Sequence, residues 1–159
     1  MVNNMKIIFL DFDGVLNSEK YLRNCGRYGV IADPVRMIYL KKIVDATGAK
    51  IVLSTSWREH WNEDTEECDE TGLRINEIFR VYGLCIYSKT PKLDSFREDE
   101  IKMWLEGHEG IESFVVLDDA FLSADFLNGH FVRTSNYRDG LNEEDTMNAI
   151  KILGESIFL

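Results

Sequence analysis

Three short apolar runs, "IIFL" (7–10), "IVL" (51–53) and "FVVL" (114–117), each stop abruptly at small polar or acidic residues. None of the runs alternates with polar residues. Each therefore reads as a strand covered on both faces, the condition of a parallel sheet between helical layers. Runs this short do not cross a membrane.

The segments between the runs have helical period. Residues 33–48, "DPVRMIYLKKIVDATG", predict a helix with Asp33 as its cap, Pro34 in its first turn and Gly48 at its end. Residues 71–83 predict a second helix closed by Gly83, with Leu73, Ile78, Phe79 and Tyr82 near helical spacing. Residues 95–107 carry the capping-box pattern Ser95 with Glu98 ahead of Ile101, Trp104 and Leu105. Residues 142–154 predict a last helix capped by Asn142. Shorter strands are expected at 84–88 and 130–135. Alternation of this kind predicts an α/β fold: a Rossmann-like, three-layer open parallel sheet with its site at the carboxyl ends of the strands. With 159 residues, two prolines and no repeat or low-complexity stretch, a single domain over 1–159 is expected.

Composition narrows the function. Eighteen basic residues against 28 acidic ones give a net charge of −10, which disfavours a protein that grips extended duplex nucleic acid by its phosphates. Recognition of one phosphate group stays open. Much of the acidic excess lies in "NEDTEECDE" (62–70), read as a solvated face. Cys25, Cys68 and Cys85 form no CxxC pair and His60, His108 and His130 have no ligand spacing, so neither a disulfide framework nor a zinc site is expected. The N-terminus lacks the extended apolar region of a secretory signal. A reduced, cytoplasmic setting and no membrane partner are the expectation.

The strand ends carry the chemistry. The first ends in Asp11 and Asp13, the second in Ser54, Thr55 and Ser56, and the fourth in Asp118 and Asp119. At a spacing of two, Asp11 and Asp13 project to one side if the extended backbone continues. Carboxylates gathered at one sheet edge repel each other unless a cation offsets them, and an all-oxygen ligand set suits Mg²⁺.

"LDFDGVLN", "IVLSTSW" and "VVLDD" resemble, in order, the first, second and fourth motifs of the haloacid dehalogenase (HAD) superfamily. More narrowly, the chain is similar to the small HAD phosphatase domains of RNA-repair-associated proteins, over about Lys6 to Arg133. The first motif departs from the common pattern in having Val15 after the glycine where threonine is frequent. The resemblance implies that Asp11 is a nucleophile forming an aspartyl-phosphate and that Asp13 is the general acid and base. It implies a Mg²⁺ site formed by Asp11, the Asp13 carbonyl and Asp118, with Asp119 acting through water or as an outer partner. Of the hydroxyls in the second motif, Ser54 aligns best as the phosphate ligand, with Thr55 and Ser56 as alternatives. The third motif needs a cation: Arg97, 21 residues before Asp118 at an expected helix start, is preferred over Lys92. In "SWREHW" (56–61), Arg58 contacts phosphate and Trp57 or Trp61 stacks on a base, or all three pack and pair structurally; both readings stand.

The insertion at about 17–32 has room for a flap, with Tyr21, Arg23, Arg27 and Tyr28 on it, but not for a cap domain. By resemblance this is a capless phosphomonoester hydrolase whose substrate is a nucleotide, a nucleic-acid end or another phosphate ester. Two rivals are phosphotransfer to an acceptor other than water and a phospho-accepting signalling domain of the receiver type. A receiver carries its acidic pair on the first strand and its phosphorylated aspartate on the third, an order this chain does not follow.

Overall fold

Four consecutive side chains of the first strand, Ile7 to Leu10, are fully buried. That burial is possible only if the strand is central. In the computed structural model, which describes residues 4–25 and 31–154, it is. The elements run β1 (Met5–Leu10), α1 (Glu19–Cys25), α2 (Pro34–Thr47), β2 (Lys50–Leu53), α3 (Glu70–Val81), β3 (Ile86–Lys89), α4 (Arg97–Glu106), β4 (Ile111–Asp118), β5 (Phe131–Arg133) and α5 (Glu143–Leu153). The sheet order is β3-β2-β1-β4-β5 with every pairing parallel. The winding reverses between β1 and β4, and in open α/β sheets that switch point is where a crevice opens at the carboxyl edge.

The pleat of β1 divides the core. Ile8 and Leu10 join Met37, Leu40 and Ile43 of α2, Ile75 and Phe79 of α3, and Ala149, Ile150 and Leu153 of α5 on one face. Ile7 and Phe9 join Ile101 and Trp104 of α4 and Leu127 on the other. Each such aliphatic or aromatic side chain contributes about 1.5–3 kcal/mol by leaving water. The three-layer α/β architecture expected from the apolar runs is the one found, and no large cap is present among the described residues. No helix among them is long and apolar enough to cross a membrane.

Most helix ends follow the expected chemistry. The Asp33 carboxylate accepts from the Val35 N–H, and Gly48 closes α2 at φ 73°. Asn142 and Asp145 form a reciprocal capping box at the start of α5. The acidic 62–70 run does more than face solvent: Asp64 caps a 3₁₀ turn at Thr65–Glu67, and Asp69 caps α3 through the Gly72 N–H. One expectation fails. Ser95 and Glu98 make no capping box, because α4 begins at Arg97 with Phe96 as its N-cap and no side-chain cap bond. Glu98 instead accepts from the Ser123 N–H at 3.3 Å. Within the flap at 17–32, α1 covers Tyr21 and Arg23; Arg27 and Tyr28 lie outside the described residues.

Candidate active site

Asp11 follows β1 directly, and its N–H continues the ladder by donating to the Leu117 carbonyl at 3.1 Å. The sheet thereby places Asp11 beside Asp118, the last residue of β4. Asp118 is fully buried and Asp11 nearly so. Ligand oxygens of Asp11, Asp118 and Asp119 all lie within 4.8 Å of one another.

Three carboxylates at that separation are held by few compensating groups. Asp11 Oδ1 accepts from the Phe12 N–H and Asp118 Oδ1 from the Ala120 N–H, both at 2.9 Å. Arg97, the first residue of α4, reaches back so that its Nη1 stands 2.7 Å from Asp118 Oδ2 and 3.1 Å from Asp11 Oδ2. Burial first, and then the charge of Asp118, push the Asp11 carboxyl up to about 7 despite Arg97. The same two causes, in that order, raise Asp119. For Arg97, burial opposes the charge, but Asp11 and Asp118 outweigh it and raise its pKa.

Gly14 makes the close packing possible. Its φ is 83°, and a Cβ there would fall 2.3 Å from Asp119 Oδ2, so only glycine fits between the first and fourth strand ends. The Gly14 carbonyl accepts from Thr134 Oγ1 at 2.6 Å, just past β5.

Asp13 is placed differently. Its carboxylate is exposed and stands apart from the three-aspartate cluster. Oδ1 accepts from Asn17 Nδ2 and Oδ2 from the Trp57 indole N–H, each at 3.1 Å. Asn17 is itself buried and fixed, accepting from the Gly14 N–H at 3.1 Å and donating to the Ile31 carbonyl at 2.9 Å. Neither Asn17 nor the Trp57 N–H was singled out as a partner of Asp13. The available signal was an asparagine closing the otherwise apolar "VLN" run.

The three hydroxyls of "STS" separate cleanly. Ser54, at the end of β2, is fully buried and its Oγ has no hydrogen-bond partner. Thr55 caps the 3₁₀ turn Ser56–His60 by accepting from the Trp57 N–H, and Ser56 is exposed. Arg58 is not brought to the carboxylates. It is buried, with Nη2 2.6 Å from Glu100 Oε2 and Nη1 2.9 Å from the Thr55 carbonyl, so its charge is already neutralised by Glu100 of α4. Trp61 is buried, with its indole N–H on Asn76 Oδ1 at 2.8 Å, and offers no free face for a base. Lys92 is exposed and pairs with Glu59, whereas Arg97 is the cation on Asp11 and Asp118.

The cluster fits a divalent cation: three hard oxygen donors of like charge converge on one side, with a single guanidinium opposing them. The family model described as "HAD domain in Swiss Army Knife RNA repair proteins" matches residues 7–146, which include every residue of this site. No curated protein and no solved structure matches the chain.

Proposed function

Because the chain belongs to the family of HAD domains in Swiss Army Knife RNA repair proteins, we propose that it is a Mg²⁺-dependent phosphomonoester hydrolase working through Asp11. One observation carries this reading: Asp11, Asp118 and Asp119 meet at the carboxyl edge of the sheet, and among the described residues Arg97 is the only cation in ion-pair contact with their carboxylates.

Asp11, Asp118 and Asp119 would hold the ion, with the Asp13 carbonyl joining them by resemblance to the superfamily. Bound there, Mg²⁺ would supply the positive charge that lets an anionic nucleophile approach an anionic phosphate. An Asp11 carboxylate oxygen forms the new bond to phosphorus while the ester oxygen leaves, taking a proton from Asp13. Asp13 then accepts a proton from the water that attacks phosphorus, the bond to Asp11 breaks, and phosphate is released. Trp57 and Asn17 keep the Asp13 carboxylate at one orientation for both transfers. The unpartnered Ser54 Oγ supports a role as phosphate ligand, since leaving a buried hydroxyl unsatisfied costs about 1–3 kcal/mol. Arg97 would share its charge with the transferring phosphoryl group.

The substrate is proposed as a nucleotide, a nucleic-acid end or another exposed phosphate ester, because no large cap closes the crevice among the described residues and the net charge disfavours a duplex. The test is phosphate release from nucleotides, sugar phosphates and phosphorylated oligonucleotide ends, with Mg²⁺ and with chelator. Release should require Mg²⁺ and fall by about 10³-fold or more in Asp11→Asn. Undiminished release in that variant would sink the mechanism.

A further inference from the structure

A cavity of about 510 Å³ opens beside Asp119, lined by Arg133, Thr134, Ser135, Asn136 and Tyr137. It adjoins the carboxylates: Thr134 donates its N–H to the Asp118 carbonyl at 3.0 Å and its hydroxyl to the Gly14 carbonyl. The volume is that of a site for one small organic ligand.

Its outer wall is a built loop. Ser135 and Gly140 bridge each other, Leu141 donates to the Val15 carbonyl at 2.9 Å, and the Asn136 carbonyl accepts from the Glu19 N–H at the start of α1. Gly140 has φ 76° and packs where a Cβ would lie 2.7 Å from the Val15 and Asn17 carbonyls. On this anchored loop Tyr137 is 84% exposed, and Phe121, outside the cavity lining, is 80% exposed. Arg133 reaches from the cavity wall towards Phe121. Its Nε donates to the Asp119 carbonyl at 3.0 Å and its guanidinium lies 5.5 Å from the Phe121 ring centroid. No carboxylate among the described residues pairs with it.

A guanidinium without a carboxylate partner and a solvent-facing ring, beside the carboxylate cluster, are the features that accept a flat, hydrogen-bonding, partly anionic group. We propose that this cavity binds the leaving group of the phosphate ester and that the leaving group is a nucleoside. Its base stacks on Tyr137, while Arg133, held by Phe121, meets the sugar or a neighbouring phosphate. One cation suits a single terminal nucleotide better than a long polyanion. The inference takes its chemistry from the hydrolase reading above, but the binding itself does not depend on turnover.

The test compares binding of adenosine monophosphate and ribose 5-phosphate to Asp11→Asn protein, with Tyr137 intact, as Tyr137→Ala and as Tyr137→Phe. With Tyr137 intact or as Tyr137→Phe, the nucleotide should bind about tenfold tighter or more, the range expected for one stacked base. In Tyr137→Ala the preference should collapse to within about twofold, and the exposed position makes misfolding of this variant unexpected. No base preference with Tyr137 intact, an unchanged preference in Tyr137→Ala, or its loss in Tyr137→Phe would each overturn the proposal. Phosphate release from wild-type protein without base preference overturns only this inference; base preference without any phosphate release overturns only the hydrolase reading.

Discussion

Two arginines reach buried carboxylates among the described residues, and their surroundings differ in one respect. Arg58 faces Glu100 alone, at 2.6 Å, with the Thr55 carbonyl taking a second proton of the guanidinium. Glu100 in turn accepts from the Leu93 N–H at 3.0 Å. That assembly is neutral, with only the Arg58 Nε left without a partner. Arg97 faces Asp11 and Asp118, with Asp119 close behind, so one positive charge stands against three negative ones. The first arrangement joins β2's outgoing turn to α4 and asks nothing of solvent. The second is short of positive charge at the sheet edge, and a buried charge deficit is a feature of a site rather than of a scaffold.

The comparison can be broken most forcefully at Arg97. Arg97→Ala should lower kcat by about 10³-fold, the scale of losing one preorganised cation on a transferring phosphoryl group, as read in the phosphate-release assay. Loss of activity matched by global unfolding would place Arg97 with Arg58 instead.

The charge deficit also predicts how stability follows pH. Asp11 is raised from 3.8 to about 7, so between those values the folded protein holds a proton that the unfolded chain has released. Its contribution is fully present below pH 3.8 and is lost as pH rises through about 7. With chelator present, stability should fall over that window by on the order of 4 kcal/mol. Mg²⁺ should flatten the slope and Asp11→Asn should remove most of it, leaving the smaller contribution of Asp119, as read by denaturant unfolding at a series of pH values.

Arg58→Ala should cost about 3 kcal/mol because it leaves Glu100 buried and uncompensated, and Mg²⁺ should not restore it. A smaller effect is expected at Trp57. Trp57→Phe removes the indole N–H from Asp13 and should lower kcat about tenfold with KM unchanged, the scale of one lost orienting bond. Smallest of all, Lys92→Ala breaks an exposed pair with Glu59 and should change activity by less than about twofold.

What could be read from the chain follows the range of the interactions involved. β1, β2 and β4 were legible because burial on both faces demands uninterrupted apolar residues, and the caps at Asp33, Gly48 and Asn142 because capping acts over a few residues. That Asp11 and Asp118 share one sheet edge followed once a parallel sheet was assumed; that β1 and β4 are neighbours comes from the structure. The failed box at Ser95 and Glu98 marks the limit of local pattern: the helix starts at Arg97, whose side chain is drawn to Asp11 and Asp118, and Glu98 finds Ser123. The partner of Arg58 and the more distant partner of Asp13 were hidden for the same reason. Glu100 lies 42 residues from Arg58, and Trp57 lies 44 residues from Asp13. No short-range signal specifies either contact.

The central claim is that Asp11 becomes phosphorylated, and acid quenching during turnover followed by peptide mass analysis addresses it directly. The account predicts one phosphoryl group on the peptide containing Asp11, absent in Asp11→Asn. A phosphoryl group on any other peptide during turnover would contradict it.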